Sequence, residues 1–287
     1  MTLFDAIIIA VVEGLTEFLP VSSTGHMIIA SSLLGHSNDT FTKIFEVSIQ
    51  LGAILAVVLV YWKKFFQFTN PLFYAKLIAG VFPALVAGYL FNDAIEALLG
   101  SELIVAIALL LGGIILVYID RLFPQNTTPD LLAAETTRSE LVEADEQLTF
   151  KKAFFIGCWQ LLAMVPGVSR SASSIIGGMQ QKLTRNFAAE FSFFLAVPTM
   201  VAASGYSLFL KNWTEEGVEV KGYEIIFATQ ENIQAFAVGN VVAFVVALLA
   251  IRFFISYLKK YGFRVFGIYR IIAGLVLLGM YAMGWLG

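Results

Sequence analysis

The chain has 287 residues, 59% of them hydrophobic and 14% charged, where soluble domains carry about 25% charged residues; its mean hydropathy is +0.82. A soluble protein of this length would have to bury nearly everything it has, so composition excludes that class and leaves an integral membrane protein. The net charge of -3 and the single cysteine, Cys158, exclude the basic surface of a nucleic-acid binder and any internal disulfide.

Residues 1–34 are apolar but broken in the middle. One arm ends at Pro20, a second begins after Ser22, Ser23 and Thr24, and neither reaches the roughly 20 residues that cross a bilayer. Spans are expected at 44–62, 73–91 and 103–119. Segment 122–149 is acidic, Thr-rich and without apolar periodicity, and reads as a solvated linker. Residues 150–181 repeat the broken pattern, and spans at 187–210, 233–257 and 265–285 follow, with the acidic loop 211–232 as a solvated cap. Broken backbone at membrane depth is tolerated only where it is buried in protein or lines a cavity, so both broken regions are expected to be re-entrant hairpins.

The two parts of the chain resemble one another. Leu19-Pro20-Val21-Ser22-Ser23-Thr24-Gly25 has a partner in Val165-Pro166-Gly167-Val168-Ser169-Arg170-Ser171, and the span after each carries a glutamate near its start, Glu46 and Glu190. One hairpin and three spans per half, about 1–121 and 150–287, force the halves into opposite orientations, so that the hairpins meet near the midplane. The expected fold class is therefore an all-α integral membrane protein with six transmembrane helices and two re-entrant helical hairpins in an inverted repeat, forming one polytopic membrane domain.

With the N-terminus outside, Lys63, Lys64, Lys76, Arg121, Arg138, Lys151, Lys152, Lys182, Arg185, Lys259, Lys260 and Arg264 fall inside, with Arg252 and Arg270 at the inner ends of spans five and six. Only Lys43, Lys211 and Lys221 fall outside. This excess of inner Lys and Arg sets the orientation and puts both termini outside.

Two constellations carry chemistry. In the first, Glu13 and Glu17 are four apart and share a helix face. Two carboxylates there repel, and in a low dielectric one takes a proton unless a cation sits between them. Ser22, Ser23 and Thr24 supply hydroxyls and an N-cap to the second arm, and a helix start with free N–H groups is an anion site. His26 lies beside those hydroxyls and suits proton transfer, whereas His36, in a loop-like stretch, reads as bland. In the second, Arg170 stands in an apolar region and needs an anion. Glu13, Glu17, Glu46 and Glu190 are the internal candidates. A phosphate is the external one, and the flanking Ser169, Ser171 and Ser174 favour it. Together the groups form a kit for phosphoryl transfer at membrane depth: glutamates for a divalent cation, Arg170 for developing charge, a hydroxyl or water to attack and His26 for a proton. A lipid-linked diphosphate is the substrate that needs so buried a site.

At residues 13–26 and 166–174 the sequence resembles the bacterial undecaprenyl-diphosphatase family, the bacitracin-resistance phosphatases. The likeness continues through 45–61, 187–198 and Ile268-Tyr269-Arg270 and covers essentially the whole chain. The resemblance implies hydrolysis of undecaprenyl diphosphate to the monophosphate and inorganic phosphate, recycling the lipid carrier for cell-wall synthesis and conferring bacitracin resistance. It implies a multi-pass protein of the bacterial plasma (inner) membrane with an active site open to the external, periplasmic side and a divalent cation, Mg2+ or Ca2+, held by Glu13 and Glu17. It carries catalytic roles onto Glu13, Glu17, Ser23 and His26, with Ser23 as nucleophile, and phosphate binding onto Ser169 and Arg170; the residue pattern itself adds Arg170 to the catalytic set and Ser22, Thr24, Ser171 and Ser174 to the phosphate-binding hydroxyls. The oligomeric state stays open, a homodimer included. This chain has Ala172 and Ser174 where the family commonly has Gly and Thr, which matters at Ala172 only if that position needs positive φ. Two other readings stand beside it: an inverted-repeat transporter or flippase, with Glu13, Glu17 and His26 as a proton relay, and a phosphatidic-acid-type phosphatase, which would need His36 as its second histidine.

Overall fold

The computed structural model describes residues 1–37, 39–67, 70–99, 101–124, 147–215 and 217–284. Most of the expected linker 122–149, with Arg138, and the end of the expected sixth span at Trp285 lie outside these residues.

Local chemistry sets the helix starts. The chain opens with α1, Leu3–Thr16, begun by a capping box in which Thr2 and Asp5 satisfy each other's backbone N–H. Helix α2, Ser23–Leu33, follows a six-residue turn. The first long span is two helices, α3 Thr40–Ser48 and α4 Gln50–Val60, interrupted at Ile49. A single turn, α5 Trp62–Phe65, leads to α6, Pro71–Leu90, where Asn70 caps and Pro71 fits the first helical position. Helices α7, Asn92–Leu99, and α8, Glu102–Leu122, complete the first half.

The second half opens with α9, Phe150–Gln160, capped by Thr149 and prolonged by a 3-10 turn, Leu161–Met164. Then come α10, Arg170–Gln180, and α11, Arg185–Gly205, which runs into a π turn, Tyr206–Leu210. The expected solvated loop 211–232 holds more structure than a loop: strands β1 Asn212–Glu215 and β2 Val218–Lys221 pair antiparallel with Asn212 opposite Lys221, and α12, Gly222–Phe227, follows. Helix α13, Gln230–Tyr261, ends at Gly262, whose φ of 70° closes the turn, and α14 is Arg264–Ala282.

Among the described residues six helical segments are long and apolar enough to cross a membrane: Thr40–Val60, Pro71–Leu90, Glu102–Leu122, Arg185–Leu210, Gln230–Tyr261 and Arg264–Ala282. Each matches an expected span. The packing is reciprocal between halves. Helix α1 lies on α13 while α9 lies on α6, α4 packs on α13 while α11 packs on α6, and α8 meets α14. Small residues permit these close approaches, as is usual between helices that lack a hydrophobic drive in lipid. A Cβ on Gly14 would sit 2.8 Å from Ala243 O, one on Gly157 2.0 Å from Gly80 O, and one on Gly113 2.8 Å from Gly267 O.

The basic ends gather at one pole. Arg185 pairs with Asp120 at 2.7 Å, and Asp120 also accepts the Phe263 N–H at 2.8 Å, which ties the end of α8 to the starts of α11 and α14. One basic residue departs from expectation. Arg270, expected at the inner end of the sixth span, is fully buried in the middle of the molecule, because backbone carbonyls there take the place of water.

Candidate active site

Two turns meet at the centre, and each ends on a serine in a backbone conformation that side chains avoid. Ser22 has φ 73° and Ser169 φ 80°. Such residues cost about 1–3 kcal/mol each and collect at functional sites. Both are N-caps. The Ser22 hydroxyl accepts from Gly25 N–H at 3.4 Å and the Ser169 hydroxyl from Ala172 N–H at 3.2 Å. The side-by-side reading of the two motifs sets Ser22 against Val168. By helix start, Ser22 is instead equivalent to Ser169, one residue later, and Ser23 to Arg170. The turns are joined: Ser171 Oγ donates to Leu19 O at 2.8 Å, so across its 3.1 Å contact with Ser169 Oγ it is Ser169 that donates. Gly167, at φ 89°, has no room for a side chain, since a Cβ would lie 2.6 Å from Val105 O. Ala172 lies inside α10 with ordinary helical geometry, so the positive φ that would exclude it is not required.

Arg170 takes Glu17 from among the four carboxylates offered to it, with Nη2 to Oε1 at 2.7 Å. Its Nη1 donates to Ser192 O at 2.8 Å and faces Ser192 Oγ at 3.3 Å, the guanidinium sits over the Phe18 ring, and Nε has no partner among the described residues. The other oxygen of Glu17 accepts the Ser23 hydroxyl in a short hydrogen bond. Glu17, Ser22, Ser23, Thr24, Ser169 and Arg170 line one cavity of about 160 Å³, together with Gln50, Thr199 and an apolar flank that includes Met164 and Met200.

The remaining predicted residues surround that cavity without lining it. Glu13 lies one helical turn before Glu17, fully buried, and neither carboxylate oxygen has a hydrogen-bond partner. A carboxylate in that state needs a cation or a proton. His26 Nδ1 donates to Ser22 O at 2.7 Å. In the neutral ring Nε2 is then the acceptor, and it takes the Tyr269 hydroxyl at 2.7 Å. Ser171 and Ser174 are fully buried. Ser174 reaches Ser192 Oγ at 2.7 Å and Arg170 O at 2.8 Å, so these two hydroxyls brace the second turn and Arg170 instead of facing the cavity. His36, the bland histidine, binds Asp5 at 3.0 Å, and Asp5 is held down at about 2 by the Thr2 hydroxyl and by His36.

Sequence reasoning missed Gln50, Ser192 and Tyr269. Gln50 and Ser192 left a trace, each being a polar residue inside an expected span. Tyr269 left none beyond lying in a stretch that carries the family resemblance.

The family model described as bacitracin resistance protein BacA matches residues 6–276 of the chain. Proteins named undecaprenyl-diphosphatase are similar over nearly their whole length. The one from Flavobacterium psychrophilum is 50% identical over 97% of this chain and 95% of its own. Those from Bdellovibrio bacteriovorus and Porphyromonas gingivalis are 45% and 44% identical, over 97% and 99% of this chain and 95% and 98% of theirs.

Proposed function

The chain belongs to the bacitracin resistance protein BacA family, and from that premise we propose how its own residues carry the family's reaction. The protein is a membrane-embedded enzyme that hydrolyses undecaprenyl diphosphate to undecaprenyl phosphate and inorganic phosphate. That reaction recycles the lipid carrier for peptidoglycan synthesis and confers bacitracin resistance.

In our reading the terminal phosphate enters the cavity between the two serine-capped turns. One observation carries this above the rest: a hydroxyl, a carboxylate and a guanidinium form a single linked set, Ser23 to Glu17 to Arg170, at the mouths of two helix N-termini. Helix starts present unpaired N–H groups to an anion. Arg170 has a spare Nε donor and binds phosphate in competition with Glu17. As it turns to the phosphate, Glu17 loses a cation and gains basicity. Ser23 Oγ is held to that base and is the nucleophile we favour: its proton passes to Glu17, Oγ bonds to the terminal phosphorus, and the bond from that phosphorus to the bridging oxygen breaks, releasing undecaprenyl phosphate. Water then cleaves the phosphoserine. His26, fixed as the Nδ1–H tautomer, receives or returns the proton at Nε2. Direct attack by water, with Ser23 as a hydrogen-bonding partner, is the alternative route.

Glu13 and Glu17 are the pair expected to hold a divalent cation, Mg2+ or Ca2+; the two oxygens of buried Glu13, without a donor among the described residues, fit that task, whereas both Glu17 oxygens are engaged by Arg170 and Ser23 and would join only on release from one of them. Among the described residues no three His, Cys, Asp or Glu side chains converge, so the other ligands would be substrate oxygens and water, as is usual for Mg2+. When bound, the ion would neutralise charge on the diphosphate. We read the protein as an inner-membrane enzyme whose cavity opens externally; the distribution of Lys and Arg supports the orientation of the chain, since the basic pole around Asp120 and Arg185 lies at the opposite ends of the helices from Asp5, His36 and the β-hairpin. Trapping labelled phosphate on the enzyme, and its loss in Ser23→Ala, tests the nucleophile. Normal turnover by Ser23→Ala would rule out the phosphoserine route.

A further inference from the structure

Arg270 has five N–H donors, and all five find backbone carbonyls. Nε points to Leu109 O at 3.4 Å, Nη1 to Pro20 O at 3.1 Å and Val168 O at 3.0 Å, and Nη2 to Ala108 O at 3.1 Å and Gly167 O at 2.8 Å. The side chain is fully buried and none of these partners is a carboxylate. A buried guanidinium with no counter-ion is costly, and a simple helix anchor does not need one. Three of its five carbonyls belong to the two turns: Pro20 in the first, Gly167 and Val168 in the second.

A peptide unit is planar, so holding a carbonyl also fixes the N–H that follows it, on the opposite side. Arg270 thereby fixes the N–H of Val21, of Val168 and of Ser169, the last a cavity residue at the strained cap. The fork is seated by a hole in the facing helix. A Cβ on Gly112 of α8 would lie 2.2 Å from Arg270 Nη2, so only glycine there lets the guanidinium reach Ala108 and Leu109 while it spans both turns. The neighbouring residue, Tyr269, donates to His26 Nε2. One step of α14 thus touches both turns and the histidine.

We propose that Arg270 is a positioning residue for the hydrolytic reaction: it locks the two serine-capped turns against each other and so aims both helix starts at the terminal phosphate. This rests on the reading of the cavity as the hydrolytic site. A lysine cannot substitute, because an ammonium is a point charge with three donors and lacks the planar reach.

The test compares purified wild type, Gly112→Ala, Arg270→Lys and Arg270→Met in detergent, with Gly279→Ala as control, since a Cβ at Gly279 meets open space. Gly112→Ala keeps the charge and the turn sequences and only displaces the guanidinium, so it remains informative if Arg270→Met fails to fold. Two quantities are read: kcat and KM for undecaprenyl diphosphate, and amide hydrogen exchange along the chain. Misplacement of about 1 Å costs on the order of a hundredfold in rate. We expect kcat to fall at least about tenfold in Gly112→Ala and about a hundredfold in Arg270→Lys, with KM within a few-fold of wild type. Exchange should quicken at 21–25 and at 168–172 together, with α13 unchanged and Gly279→Ala silent. Wild-type kcat in Gly112→Ala, exchange that quickens at only one turn, or exchange that quickens throughout the molecule would overturn the proposal. If wild type itself released no phosphate, the hydrolytic reading would fail, while paired quickening at the two turns would still report the clamp.

Discussion

At the scale of single residues, the site turns on which charges have partners. Glu17 is held by Arg170 and by Ser23 and Arg170 by Glu17 and Ser192, while the oxygens of Glu13, beside Glu17, meet no hydrogen-bond donor among the described residues. Glu17→Gln and Arg170→Ala should each lower kcat/KM by at least about two orders of magnitude, the scale of losing a general base or an electrostatic stabiliser. His26→Ala should do the same, and near-normal turnover by that variant would remove His26 from the reaction. Tyr269→Phe deletes only the hydroxyl that faces Nε2. It should slow turnover less, by about tenfold, and move the pH profile of kcat, because Nε2 of the neutral ring loses its hydrogen-bond donor while the Ser22 carbonyl still holds the tautomer; an unmoved profile would contradict that role. Glu17, Ser23 and Arg170 were legible in the sequence because charge and clustered hydroxyls stand out in apolar surroundings. Tyr269 and Arg270 were not. Their partners lie far away in the chain, and those of Arg270 are backbone carbonyls, which leave no mark in a sequence. A charged residue near the end of an apolar run looks like the end of a span.

At the scale of elements, hydropathy located all six spans but saw only their apolar parts. The fifth was expected over 233–257 and is helical over Gln230–Tyr261, because Thr229 caps it early and Lys259 and Lys260 suit its last turn. The break in the first span at Ile49 had no Pro or Gly to announce it. In the loop 211–232 the elements β1, β2 and α12 are four, four and six residues long, too short for a helical or strand period to stand out. Close helix contacts were equally silent, since a glycine in an apolar run does not name its neighbour. Gly157 abuts the Gly80 carbonyl, and a Cβ there would sit at 2.0 Å. Gly157→Ala should therefore destabilise the protein by about 1–3 kcal/mol, whereas Gly205→Ala, where a Cβ meets nothing within 4 Å, should be close to neutral. Thermal unfolding in detergent separates the two, and equal midpoints would contradict the packing described.

At the scale of the molecule, two halves exchange partners: the first arm of each broken region packs on the second span of the other half, and the two serine-capped turns meet at the shared centre. The likeness of the two turns was legible in Pro20–Gly25 and Pro166–Ser171, though by helix start its register is one residue out, because matching serines in sequence ignores which one caps the helix. Six spans put both termini on one face, and the Lys and Arg bias leads us to propose that this face is external. A reporter fused at the C-terminus should read external, and a cytoplasmic signal would contradict the orientation. We propose that this cavity, with both turns contributing, is where the lipid diphosphate is hydrolysed. The most direct test is phosphate release from undecaprenyl diphosphate by purified protein in detergent, with and without chelator, beside Arg170→Ala. Wild type should release phosphate, and chelator and Arg170→Ala should each cut that release to about one per cent, in line with the loss of transition-state stabilisation. Release that persists undiminished in Arg170→Ala, or a folded wild type that binds the lipid diphosphate and frees no phosphate, would contradict that assignment.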